Sequence, residues 1–173
     1  MGKDIYRRIA AYVGAAAAVL LGTVFLYTYI LVSAVIPSES MENTMMTGDR
    51  IIGSRLAYKL GKDPERLDIV IFYAPDLEKT PYIKRIIGLP GDCVEIKGGK
   101  VYVNGEELEE PYIREEMDEE EDMEFHVPEG QYFMLGDNRN VSLDSRYWED
   151  PFVEKEEIIA KAIFKYWKGI SKL

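Results

Sequence analysis

Residues 82–105 read YIKRIIGLPGDCVEIKGGKVYVNG. Two strand-like pieces, DCVEI (92–96) and KVYV (100–103), flank the pair Gly98-Gly99, and Asn104-Gly105 follows at once. Such dipeptides favour the left-handed backbone of two-residue hairpin turns, so this stretch predicts an antiparallel meander. Working outward, DIVIFY (68–73) and QYFML (131–135) are short, rich in β-branched and aromatic residues, and bounded by Gly or Pro. The segment IIAKAIFKYW (158–167) mixes helix and strand character, and the aromatic and β-branched residues of its second half favour strand. Residues 32–173 therefore predict one mainly β domain, of a size that buries a single compact core.

The N-terminal end is different. No charged residue occurs from Ile9 to Ser38, and residues 10–31 are a run of 22 apolar or small residues. As a helix such a run spans about 33 Å, against a hydrocarbon core of about 30 Å. Tyr12, Tyr27 and Tyr29 lie near its ends, where amphipathic rings suit an interface. A cleaved signal peptide also starts basic and apolar, but its apolar core runs only about 7–15 residues. An uncleaved transmembrane helix is the expectation. Residues 1–9 carry Lys3, Arg7 and Arg8 against Asp4, which predicts a cytoplasmic N-terminus and an extracytoplasmic domain.

The net charge of −10 argues against nucleic acid as a partner. Its origin is local. Residues 106–124 hold twelve acids against one base, Arg114, and read as a solvated, self-repelling surface excursion. They show no calcium-loop pattern. One Cys excludes a disulfide framework and a Cys-rich zinc site; Cys93, inside DCVEI, reads as a small core residue. The single His, His126, reads as a surface or edge residue. Met41, Met45 and Met46 allow two readings, ordinary packing or an apolar edge that touches the bilayer.

Three short stretches carry chemistry. IPSESMENT (36–44) places two serines two residues apart, which alone is turn chemistry. In YIKRIIGLPGD (82–92), strand alternation puts Lys84 on the face of Tyr82 and Ile86, and Ile83 and Arg85 on the other. A lysine there usually keeps its head in water; buried, its ammonium would lose protons more easily and become a base. GDNRNVSLDSR (136–146) opens as a turn and offers Asp144 and Arg146 as an ion pair.

In this order behind a membrane segment, PSESM, YIKRIIGLPGD and GDNRNVSLDSR resemble the bacterial type I signal peptidases, membrane-anchored Ser-Lys proteases. VYVNG and VPEGQYFMLGDN extend the resemblance to about residue 167. It implies a single transmembrane helix followed by an antiparallel β-sheet catalytic domain, with no metal or cofactor. It implies Ser40 as nucleophile, Lys84 as its general base, and Ser38 as a hydroxyl of the oxyanion hole. Ser142 would hydrogen-bond and orient Lys84, and Asp144 with Arg146 would form a supporting pair. The implied substrates are preproteins whose signal peptides carry small residues at −1 and −3; the lipid bilayer and the export machinery are the other implied partners. Two positions depart from the family. Glu39 stands where a small residue, commonly Gly, is frequent, and Asn43 stands where Pro is common. Eukaryotic secretory relatives carry His in place of Lys84, so the lysine points to the bacterial branch.

Two other readings set the contrast. A membrane-anchored β module that only binds would tolerate loss of Ser40 and Lys84. A self-cleaving repressor relative would carry a DNA-binding segment where this chain carries its apolar helix.

Overall fold

The structure, a computed structural model, describes residues 2–59, 61–75, 80–118, 121–166 and 169–173. Helix α1 (Gly2–Phe25) continues through a π-helical turn, Leu26–Ile30, into strand β1 (Leu31–Val35) without a linker. The turn closes where the Leu31 N–H donates to the Leu26 carbonyl. Among the described residues this is the one helix long and apolar enough to cross a membrane, over Lys3–Ile30, and none of it is buried against the rest of the chain. An apolar helix without a protein partner suits lipid on every side.

The remaining strands are β2 (Arg50–Ser54), β3 (Ile69–Tyr73), β4 (Pro81–Gly88), β5 (Cys93–Lys97), β6 (Lys100–Val103) and β7 (Glu106–Glu107). They are followed by β8 (Met123–His126), β9 (Gln131–Leu135), β10 (Phe152–Glu154), β11 (Ile158–Lys165) and β12 (Ser171–Lys172). They form two antiparallel sheets. The larger runs β1-β2-β11-β3-β4-β9-β10 with β12 beside β11, and the smaller runs β7-β6-β5-β8. Both expected hairpin turns form, with Gly98, Gly99, Asn104 and Gly105 all at positive φ. The 158–167 segment is a strand as far as Lys165; residue 167 lies outside the described residues. Strands β1, β2, β7, β8, β10 and β12 carry weaker patterns than those read above.

β3 shows why the large sheet holds. Ile69 and Ile71 enter one apolar cluster with Ile36, Met41, Met45 and Ile51. Val70 and Phe72 enter another with Ile86, Met134 and Trp148. A continuous apolar strand buried on both faces is a central strand. A third cluster joins the sheets through Ile87, Val94, Ile96, Val101, Phe133 and Leu135. Phe133 is fully buried, with the Phe125 ring 4.5 Å away, centroid to centroid. Phe133→Ala is expected to cost about 3–5 kcal/mol, measured by denaturant unfolding of the full chain in detergent.

Three sequence readings change here. Cys93 is not a core residue: alternation in β5 sends Val94 and Ile96 inward, so Cys93 sits half-buried opposite His126. Met41 and Met45 are buried and pack, leaving only Met46 exposed among the three methionines. The acidic segment is not purely solvated. Glu106, Glu107, Glu109, Glu115 and Glu116 are exposed, but Met117 is core and the Glu110 carboxylate is buried on Arg139.

Candidate active site

Lys84 is contributed by β4 and Ser40 by a short 3₁₀ turn, Glu39–Met41, that follows β1. They are 44 residues apart, yet Lys84 Nζ lies 2.7 Å from Ser40 Oγ. Met41, only 1% exposed, nails the serine turn into the core beside Ile36 and Ile71. On β4, Ile83 joins that same cluster while Tyr82 packs with Phe72 and Trp148. Lys84 itself is 2% exposed, its ammonium 5.8 Å from the centre of the Tyr82 ring.

This burial decides its chemistry. Loss of water around the ammonium is the largest influence and lowers the Lys84 pKa from 10.5 to about 8. The Asp144 and Asp137 carboxylates oppose the shift, and Arg146 assists it. Both carboxylates are already saturated. Asp137 binds Arg85 through both oxygens, at 2.8 and 2.6 Å, and also accepts from Thr44 Oγ1 at 2.5 Å. Asp144 accepts from Arg146 Nε at 2.8 Å and from the Gly136 N–H at 3.0 Å. Their negative charge is largely spent, so desolvation wins and about a tenth of the amine is neutral at pH 7.

Ser38 Oγ is 3.3 Å from Ser40 Oγ, at the exposed mouth of the site. Ser142 is 4% exposed, and its hydroxyl has no hydrogen-bond partner among the described residues, Lys84 included. Asn138 holds the backbone of the serine turn twice: its N–H donates to the Ser40 carbonyl and its Nδ2 to the Glu39 carbonyl, both at 3.1 Å. The two departures from the family pattern acquire reasons here. Glu39 is exposed, with its backbone steadied by Asn138. Asn43 sits at φ 87°, which proline cannot adopt, and its amide donates to the Tyr112 and Ile113 carbonyls.

Several residues of the site escaped the sequence reading. Arg85, Asp137, Asn138 and Gly136 stood inside quoted stretches, yet nothing local separates their roles from turn-making. Arg139 is 1% exposed; it donates to the Gly136 carbonyl at 2.9 Å and grips Glu110 at 2.8 Å. Glu110 carried no signal at all, being one acid among twelve.

A groove of about 550 Å³ opens over Ser40 and Lys84, walled by Ala34–Pro37 on one side and Thr80–Ile83 on the other, with Val141 and Leu143 nearby. Its walls have spare backbone. Among the described residues β1 is an edge strand, and β4 meets β9 only from Arg85 onward, so Pro81–Lys84 pair there with β3 alone.

A family model described as signal peptidase, peptidase S26, matches residues 6–167. The Synechocystis sp. protein named "Probable signal peptidase I-2" is 44% identical over 145 residues, covering 81% of this chain and 65% of that protein. The signal peptidase I of Bacillus caldolyticus is 36% identical over 152 residues, covering 80% of this chain and 81% of its own. The crystal structure of a signal peptidase I from Enterococcus faecalis superposes with a TM-score of 0.51 at 37% identity, over 58% of this chain and 97% of that one. The chain thus spans just under two thirds of its Synechocystis relative and four fifths of its Bacillus relative.

Proposed function

The chain belongs to the signal peptidase family, peptidase S26, and from that premise we propose that it is a membrane-anchored serine endopeptidase that removes signal peptides from exported preproteins. The observation that carries this reading is the 2.7 Å contact between Ser40 Oγ and a lysine amine that is almost wholly buried. A serine hydroxyl needs an adjacent base to attack, and a lysine is such a base only where its surroundings favour the neutral amine.

In the proposed cycle Lys84 Nζ takes the Ser40 proton as Oγ attacks the scissile carbonyl. The Ser40 N–H and the Ser38 hydroxyl, turned from Ser40, hold the developing oxyanion. The Lys84 ammonium then returns the proton to the departing amine, leaving an acyl ester on Ser40. Water attacks that ester with Lys84 again taking the proton; the Lys84 ammonium returns it to Ser40 Oγ as the ester bond breaks, and the acid product leaves. Ser142 backs Ser40 with a free hydroxyl that can orient the amine, while Asp144 and Arg146 keep the floor of the site rigid.

The substrate segment lies extended in the groove, adding a strand between the free edges of β1 and Pro81–Lys84. Backbone pairing supplies affinity there, and the apolar walls admit small side chains at −1 and −3. α1 anchors the domain, with the N-terminus cytoplasmic and the catalytic domain outside. Its direct passage into β1 supports an uncleaved anchor, because the strand that walls the groove begins where the helix ends. The export machinery delivers the preproteins.

The test is cleavage of a preprotein by the full chain in detergent. Cleavage is expected after an Ala-x-Ala site and not after the same site with Phe at −1; equal cleavage of both would refute the assigned specificity. In the same assay kcat/KM is expected to fall about tenfold per pH unit below about 8, as Lys84 takes up a proton. A profile flat down to pH 5 would remove Lys84 from the mechanism.

A further inference from the structure

The chain has one cysteine and one histidine, and the fold sets them side by side. β5 and β8 are antiparallel, with Cys93 opposite His126 and Glu95 opposite Glu124. Since Val94 and Ile96 point into the core, Cys93, Glu95, Glu124 and His126 share the outward face. Cys93 Sγ is 3.8 Å from Glu124 Oε1, and His126 Nε2 is 3.5 Å from the same oxygen. The three donor atoms all fall within 4.8 Å of one another.

Those spacings have a natural use. Tetrahedral zinc, with Zn–S of about 2.3 Å and Zn–N or Zn–O of about 2.0–2.1 Å, separates its ligand atoms by roughly 3.4–3.6 Å. The Cys93–Glu124 and His126–Glu124 separations differ from this by a few tenths of an ångström, and the Cys93–His126 pair, within 4.8 Å, closes by side-chain rotation. The ladder between β5 and β8 already fixes the distance between the strands. The donor types select the ion as well. Calcium and magnesium take all-oxygen shells, whereas thiolate and imidazole together suit zinc and its neighbours. Glu95 and Glu107, further carboxylates on this face, are engaged by Lys97 and Lys100.

We infer that Cys93, Glu124 and His126 form a surface site for a zinc-class divalent cation, with three protein ligands and the fourth position open to water. Partial burial and the neighbouring Glu124 push the Cys93 thiol up, so it rests protonated; binding exchanges that proton for the metal and releases it to solvent. The site stands on the small sheet, none of whose strands carries Ser40 or Lys84. A cation there staples β5 to β8 and takes no part in peptide cleavage.

The test is titration of the reduced full chain in detergent with cobalt(II), followed by displacement with zinc. One cobalt per chain is expected, with thiolate-to-cobalt charge-transfer absorption that zinc abolishes. Cys93→Ser is expected to remove the absorption, and both it and His126→Gln to weaken zinc binding at least ~10-fold. Glu124→Gln keeps size and shape at an exposed position and is expected to weaken zinc while leaving the absorption visible at higher cobalt. Absence of the absorption in the wild-type chain overturns the inference, as does zinc binding unchanged in both Cys93→Ser and His126→Gln.

Discussion

Lys84→Met is expected to lower preprotein cleavage by about 10,000-fold or more, and Ser40→Ala to do the same. The two side chains act as one unit across a 2.7 Å contact, so the double variant is expected to lose little beyond either single one. Residual activity near wild type in either variant would exclude the dyad and place the cleavage chemistry on other residues. A second measurement separates loss of chemistry from loss of fold. Folding lowers the Lys84 pKa from 10.5 to about 8, so between those values the unfolded chain holds more protons than the folded one. Stability therefore rises with pH across that window, and below it the buried ammonium costs the fold about 3 kcal/mol. Methionine fills similar space without a charge. Lys84→Met is thus expected to be more stable than the wild type at pH 7 by a few kcal/mol, and to lose the rise between pH 8 and 10.5. Denaturant unfolding at several pH values reads this directly. An inactive but stabilised variant is the signature of a residue kept for chemistry at the expense of stability.

Gly136→Ala is expected to cost at least ~100-fold in kcat without touching any reacting group, since small displacements of a nucleophile are that expensive. A methyl group at residue 136 would lie 2.2 Å from Ser142 Oγ and 2.5 Å from the Ser40 carbonyl oxygen. The first neighbour is a side chain, but the second is the backbone of Ser40, pinned by Asn138. Something must move, and the serine turn is what stands in the way. Ser142→Ala added to Gly136→Ala relieves only the first clash, so the double variant is expected to recover part of the activity at most. A fully active Gly136→Ala enzyme would show that the serine turn tolerates displacement.

The distribution of what was legible follows the range of the forces involved. The apolar helix, the strands of the meander and the two hairpin turns are each dictated by a handful of neighbouring residues. A charge-free run needs lipid or core wherever it lies, and Gly98-Gly99 takes a left-handed turn because its own backbone permits it. The pairing of Ser40 with Lys84 was different: the resemblance supplied it, since neither residue's local pattern distinguishes it from a turn serine or a snorkelling lysine. Burial was equally hidden. Lys84 loses its water because β3, the serine turn and the 136–146 loop close over it, and each of these arrives from a distant part of the chain.

The same reason accounts for the acidic segment. Twelve acids in nineteen residues predict a solvated face, and for most of the described ones that is what the fold shows. Glu110 is the exception, because a buried arginine 29 residues further on takes its carboxylate out of water. Cys93 shows the converse: an apolar neighbourhood in sequence suggested core, but alternation in β5 turned it outward to meet His126. By itself, then, the sequence determined the long apolar helix, the β character and the positions of the turns, all properties that residues settle with their immediate neighbours. Only the tertiary structure decided which charges lose their water, and desolvation is what separates the buried Lys84 and Glu110 from residues of the same type elsewhere in the chain.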